Sequence, residues 1–353
     1  MKTYDIINAG PRNRFMANGR IVSNSGRGVQ MQNLTKSDLS LQDLTLAREL
    51  LKERRSEISE LLFGPLQPHL SELIRTAFIA PPGKSFVVVD FSAIEARVVA
   101  WLAGCQWRLE VFKTHGKIYE ASAEQMFKLP PGSVDKKSPY RQKGKISELA
   151  LGYLGGAGAL ITMGALKMGL TEEELPGIVK AWRAANPEIV DFAHAMERNA
   201  KITIRQKVTT GVPGKYQFRY ESGMLFLDLP SGRSLCYVKP RIEEEGGFKN
   251  ITYDGMDQDT KRWGRTKTYA GKLLENVTQA IARDCLAVVL PQFEAAGMAN
   301  VGHVHDEAIL EVDDHLAQAK LTEAEAIMGQ PLHWAPGLPL AGDGFVSKFY
   351  RKE

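Results

Sequence analysis

Three segments concentrate side chains that could do chemistry together. In Val89-Asp90-Phe91-Ser92-Ala93-Ile94-Glu95-Ala96-Arg97, a carboxylate closes the β-branched run SFVVVD, and a helical pattern follows. A carboxylate at that junction is poorly solvated from the apolar side and open on the other, as a metal ligand should be. Val304-His305-Asp306-Glu307 lies between two apolar, strand-like runs, which puts its acids at the tip of a hairpin. With that tip beside the strand ending at Asp90, two or three carboxylates converge and repel one another. Two Mg²⁺ ions about 3.5–4 Å apart would neutralise them and clamp an in-line phosphoryl transfer. In the third segment, Arg141, Lys145, Leu149 and Tyr153 recur every four residues. Each helical step of four drifts only about 40°, so the four share one face. Two cations, an aliphatic chain and a ring suit a triphosphate with a base stacked beyond it.

The elements that must position these residues are legible in outline. Ser85–Asp90 reads as a buried strand, and Ser92–Gly104 as a helix with Ser92 as N-cap and Glu95 completing a capping box. Ser138-Pro139 is a good N-cap and N1 pair for a helix running to about Tyr153. Helical spacing covers Leu39–Phe63, and residues 118–127, 171–184, 187–200 and 270–290 are also helical in pattern. Residues 202–253 alternate apolar positions with Gly and Pro, as strands do, and 300–312 reads as the hairpin with Asp306 near its tip. Together these elements read as α/β or α+β, with strands contributed from distant segments. Taken singly, each of the three segments has a plainer reading: a strand terminator, a solvated turn, and a surface helix with two exposed cations.

Composition narrows the function classes. The 353 residues are 44% hydrophobic and 24% charged, which excludes bulk disorder and leaves room for about two domains. No apolar run is long enough for a membrane span, and the start MKTYDIINAGPRNR lacks the apolar stretch of a signal peptide. Three scattered cysteines exclude a disulfide framework and point to a reducing compartment, the cytoplasm. Net charge is only +4, but it is segregated. Six basic residues face one acid between Met1 and Lys36, and six face none between Arg198 and Arg219. Lys261, Arg262, Arg265, Lys267 and Lys272 form a further acid-free stretch. Such segregation suggests a polyanion partner.

Together and in this order, the three segments resemble the family A DNA polymerases, the bacterial DNA polymerase I type, and their phage members in particular. DFSAIEAR resembles motif A, RQKGKISELALGY motif B and HVHDEAILEV motif C. Gly26-Arg27 with Gln32-Asn33-Leu34, the lead-in Ile74-Arg75-Thr76-Ala77-Phe78, and Asn276 with Gln279 support the likeness, which covers roughly residues 17–353. The resemblance implies a right-hand polymerase fold: an antiparallel palm sheet with helices, mostly helical fingers, and a thumb largely absent. It divides the chain into an N-terminal primer-template segment (1–36), a first palm segment (37–100), fingers with a strand-rich insertion (101–269) and a second palm segment (270–353).

The resemblance also implies roles. Asp90, Asp306 and the carbonyl of Phe91 would hold two Mg²⁺ ions, with Mn²⁺ as a substitute. Glu307 would support the metal site or primer end, and His305 would contact the primer terminus. Arg141 and Lys145 would hold the incoming dNTP, Lys145 also protonating the pyrophosphate. Tyr119 falls where the family often has a phosphate-contacting His. Glu95 would exclude a 2′-hydroxyl, Leu149 would stand where a ring usually contacts the sugar, and Tyr153 would stack near the template base. Arg27, Gln32, Asn33, Lys272, Asn276 and Gln279 would contact primer-template DNA. The chain departs from the family at Ser23 (usually Arg), Ala93 (often Gln), Leu149 (usually aromatic) and Leu154 (usually Gly).

Little sequence precedes motif A for a thumb, and only Asp5 precedes Asp38, so no proofreading carboxylate cluster is expected. A separately encoded thumb or exonuclease chain is the expected partner, with the host cytoplasm as location. Two alternatives stay open: a polymerase-like DNA-binding protein impaired in catalysis, and the catalytic half of a split polymerase. A metallohydrolase built on His303 and His305, and a single-subunit RNA polymerase, are more distant rivals.

Overall fold

The computed structural model describes residues 14–17, 20–23, 31, 34–37, 39–256 and 262–352. A short hairpin, β1 (Arg14–Ala17) and β2 (Arg20–Ser23), precedes α1 (Leu41–Lys52), α2 (Ser56–Phe63) and α3 (Leu66–Leu73). Strand β3 (Lys84–Phe91) follows, then seven helices: α4 (Ile94–Ala103), α5 (Gln106–Thr114), α6 (Ile118–Phe127), α7 (Pro139–Leu151), α8 (Ala157–Thr162), α9 (Leu175–Ala185) and α10 (Pro187–Gln206). Six strands come next: β4 (Thr210–Val212), β5 (Tyr216–Glu221), β6 (Met224–Asp228), β7 (Ser234–Glu245), β8 (Phe248–Met256) and β9 (Trp263–Thr268). The chain closes with α11 (Ala270–Ala295), β10 (Ala299–Val304), β11 (Glu307–Asp313), α12 (Ala317–Met328) and β12 (Gly342–Ser347). Of the two classes read from the sequence, α+β holds.

The chain divides into two compact units. The first takes the described residues of Met1–Phe91, Leu286–Met328 and Ala341–Glu353. Its sheet has the order β10-β11-β3-β12, every pair antiparallel. Central β3 is buried on both faces, as an unbroken β-branched run demands. Alternation splits its side chains. Val87, Val89 and Phe91 point one way, and α12 crowds the same face of β12: a Cβ on Gly344 would lie 2.9 Å from Leu321. Phe86, Val88 and Asp90 point the other way, where Phe86 and Val88 pack with Ala80, Ile309 and Tyr350. This second face is the one that ends in acids.

The second unit, Ser92–Cys285 with Gly329–Leu340, holds α4–α10, most of α11 and an all-antiparallel sheet of order β4-β5-β6-β7-β8-β9. A buried ionic knot fixes α7. Glu148 receives both ends of the Arg108 guanidinium, the Ser122 hydroxyl at 2.7 Å and the Trp182 indole N–H at 3.1 Å. Gly144 lets α7 lie against α6: a Cβ there would stand 2.1 Å from the Tyr119 carbonyl oxygen. Ser138 caps α7 as expected, accepting the Tyr140 amide at 3.3 Å, with Pro139 at N1.

Three details correct the sequence reading. Ser92 does not cap α4. Ala93 occupies the N-cap position at φ 49°, and the Ser92 carbonyl accepts from Arg97 Nε at 2.6 Å. The strand hands over to the helix through a left-handed residue, so no capping box forms. The pattern over 39–63 breaks into α1 and α2 at Arg54, φ 61°. Residues 202–206 continue α10 rather than starting a strand.

Candidate active site

Antiparallel register assembles the acids of the first unit. Asp90, the penultimate residue of β3, pairs with Glu307 on one side and with Asp343 on the other. Paired residues on neighbouring strands share a face, so three carboxylates form a row across the sheet. Asp306 joins them from the β10–β11 turn, where its carbonyl accepts the Phe91 amide at 3.4 Å. His305, at the tip, is exposed and held at φ 55°, the left-handed backbone that tight hairpin turns require.

Charge and burial act in the same direction here. Asp90 is pushed up to about 6, chiefly by burial and then by the charges of Asp306, Glu307 and Asp343, with Lys352 opposing. Burial also raises Asp306, against backbone hydrogen bonding and the charges of Lys352 and His305. Glu307, 3% exposed, is raised by burial and restrained by the Tyr350 hydroxyl, which donates to it at 2.7 Å. Tyr350 in turn accepts from the Arg75 guanidinium at 3.1 Å, and Arg75 also reaches the Leu34 carbonyl. Glu307 is thus tied back into the core, while Asp90 and Asp306 keep partial exposure.

Hard carboxylate oxygens beside a backbone carbonyl-bearing strand end fit Mg²⁺, which needs few protein ligands and keeps waters. Among the described residues no three His, Cys, Asp or Glu side chains form a group arranged for a metal. Asp90 and Asp306 are the candidate donors on this face.

The second unit brings together a different set. Arg141 Nε donates to Glu120 at 2.7 Å, and its guanidinium lies 5.7 Å from the Tyr119 ring centre. Burial raises the Tyr119 phenol. Lys145, one turn on, is half-buried, and Leu149 is 49% exposed. Tyr153 lies just beyond the end of α7, and its hydroxyl donates to Glu95 at 2.6 Å. Gln279 Nε2 approaches the other Glu95 oxygen at 3.4 Å. Glu95 therefore meets Tyr153 and Gln279 instead of a capping serine. Lys272 is bonded to Glu275 at 3.0 Å, and Asn276 donates to the Tyr237 hydroxyl at 3.0 Å. Arg27, Gln32 and Asn33 lie outside the described residues.

Sequence reasoning missed Asp343, Tyr350 and Lys352, and it gave Arg75 no role beyond the lead-in segment. Asp343 sits in GDGFVS, a weak strand pattern with two glycines whose pairing with β3 no local signal announces. Tyr350 and Lys352 are close to Glu353, far along the chain from the residues they influence.

The first unit thus carries an antiparallel sheet with central acids, and the second a cation-bearing helix. Residues 58–218 match the family model described as DNA polymerase family A. The DNA polymerase of Bacillus phage SP02 is 55% identical over 331 residues, 93% of this chain and 50% of that protein. The thermostable DNA polymerase I of Thermus thermophilus is 39% identical over 71 residues, 20% of this chain and 8% of that one. In fold, the chain is similar to the POL domain of Pol1 from M. smegmatis, solved with DNA primer-template and dNTP. The TM-score is 0.51 with 19% identity, over 81% of this chain and 43% of that one. Part of the chain thus matches the family A model, and most of it is similar to a phage DNA polymerase. The chain spans about half the length of the phage relative. No helix among the described residues is long and apolar enough to cross a membrane.

Proposed function

We propose that this chain carries out template-directed DNA synthesis: the primer 3′-hydroxyl attacks the α-phosphorus of a dNTP, a new P–O bond forms, and pyrophosphate leaves. The observation that supports this best is the convergence of Asp90 and Asp306: the Asp306 charge adds to burial in pushing Asp90 up at this half-buried sheet end. Two Mg²⁺ ions, or Mn²⁺ in their place, held by Asp90, Asp306 and the Phe91 carbonyl, would supply charge neutralisation and alignment.

The remaining roles fall to the chain's own groups. Arg141 and Lys145 take the triphosphate, with Tyr119 beside Arg141, and Lys145 gives a proton to the departing pyrophosphate. Glu95, steadied by Tyr153, lies under the sugar and excludes a 2′-hydroxyl. Gln279 reads minor-groove acceptors common to all base pairs, checking shape without sequence preference. Glu307, fixed by Tyr350, and His305 serve the primer end. Primer-template DNA and dNTPs are the partners, and the cytoplasm of a bacterial host is the setting.

Primer extension with Mg²⁺ tests the reading. The wild-type chain is expected to extend, and Asp306→Ala to lose about a thousandfold or more in rate. Wild-type binding of primer-template without extension, in Mg²⁺ or Mn²⁺, would favour a DNA-binding protein instead.

A further inference from the structure

The second unit ends in an unusual edge strand. On β9, Trp263, Arg265 and Lys267 occupy alternate positions, and Tyr269 follows in the same phase. Alternate residues of a strand share a face. All four are exposed, Trp263 at 58% and Tyr269 at 59%, while Thr268 between Lys267 and Tyr269 is buried. Two large rings therefore bracket two cations along one face of the strand. Arg241 adds a third exposed cation, since it pairs with Thr252 of β8, which pairs with Lys267. Arg265 is held in place by the Lys239 carbonyl at 2.7 Å and by Asp254 at 3.0 Å.

The stripe has a defined starting point. Gly271 leaves no room for a side chain: a Cβ there would lie 2.3 Å from the Tyr153 carbonyl oxygen and 3.1 Å from the Tyr269 ring. Tyr269 is thus a neighbour of Tyr153, the residue assigned above to the template base. From that point the exposed face runs through Lys267 and Arg265 to Trp263, about 20 Å of extended chain. Rings that stack on bases without sequence preference, interleaved with cations for phosphates, are the chemistry of a single-stranded nucleic-acid track, whose sites begin at about 4 nucleotides.

We propose that the outward face of β9, with Tyr269 directly after it, binds the unpaired template strand ahead of the templating base. This rests on the polymerase reading, and the test separates the two. Binding of the full chain is measured by fluorescence anisotropy to primer-templates with one unpaired template nucleotide or with twelve. The wild-type is expected to bind the longer overhang about tenfold more tightly, with a steeper salt dependence. Trp263→Ala with Lys267→Ala should erase that gain while single-nucleotide extension on the short template stays unchanged. Trp263→Phe with Lys267→Arg should keep it, which controls for folding. Equal wild-type affinity for both overhangs, with extension intact, overturns the track and spares the polymerase reading. A gain that appears only when the overhang is made duplex also overturns it. A wild-type chain that neither binds nor extends either substrate overturns both.

Discussion

The acids of the first unit and the cations of the second are held by opposite means. Asp90 sits on a strand bonded on both sides, between Glu307 and Asp343, and the backbone ladder keeps like charges together against their repulsion. Arg141 sits on a helix and already has an acid of its own, Glu120; Glu95 likewise already has Tyr153. The acid row is therefore short of positive charge, and the second unit has supplied internal partners for its groups. A cation joining the first relieves repulsion, whereas a triphosphate joining the second must compete with Glu120. This contrast gives three expectations, from the largest effect to the smallest.

If Glu95 is a sugar gate steadied by Tyr153, then Glu95→Ala removes the gate outright. Ribonucleotide use relative to deoxyribonucleotide use, measured as the ratio of kcat/KM values, is expected to rise about tenfold or more. Tyr153→Phe leaves Glu95 in place without its donor and should give a smaller rise. An unchanged sugar preference in both variants would remove Glu95 from the site and leave Tyr153 as packing.

If the cations depend on helix placement, Gly144 is the residue that sets it. Gly144→Ala puts a methyl 2.1 Å from the Tyr119 carbonyl oxygen and forces α7 away from α6. The expected cost is about 2 kcal/mol in denaturant unfolding. A raised KM for dNTP should accompany it, because Arg141 and Tyr119 separate. Loss of stability without a change in KM would detach the α6–α7 contact from nucleotide binding.

The same contrast separates what is legible in sequence from what is not. Asp90, the hairpin tip at Asp306 and the α7 cap are legible because each is local: an apolar run ending in an acid, a two-residue turn, a Ser-Pro pair. The pairing of Asp343 with Asp90 is not, because the two lie 253 positions apart and GDGFVS has little strand character. The capping box expected at Glu95 fails for a related reason. Ser-x-x-Glu spacing is a good cap signal, but the chain leaving β3 takes a left-handed step at Ala93, and Glu95 turns to a tyrosine fifty-eight residues away. In sequence the cations of residues 261–272 register as charge only; their alternation with Trp263 and Tyr269 acquires meaning once β9 is an edge strand.

The smallest effect tests the acid row without any catalysis. Asp90 carries its proton more tightly when folded, titrating at about 6 rather than 3.8. The folded state then binds more protons than the unfolded one across that interval, so stability falls as pH rises from about 4 to 6 and stays reduced above it. Asp306 and Glu307, raised in the same direction, add to the fall. Asp90→Asn removes one buried charge and lowers the repulsion on its neighbours. In the absence of divalent cation it is expected to stabilise the chain at pH 7.5 by about 1 kcal/mol, a figure discounted for solvent on the open side of the site. At pH 4 the gain should nearly vanish. Adding Mg²⁺ at pH 7.5 should raise the melting temperature of the wild-type more than that of Asp90→Asn, which has one carboxylate fewer to share with a cation. Equal melting temperatures at both pH values would mean the row is better solvated than its register implies.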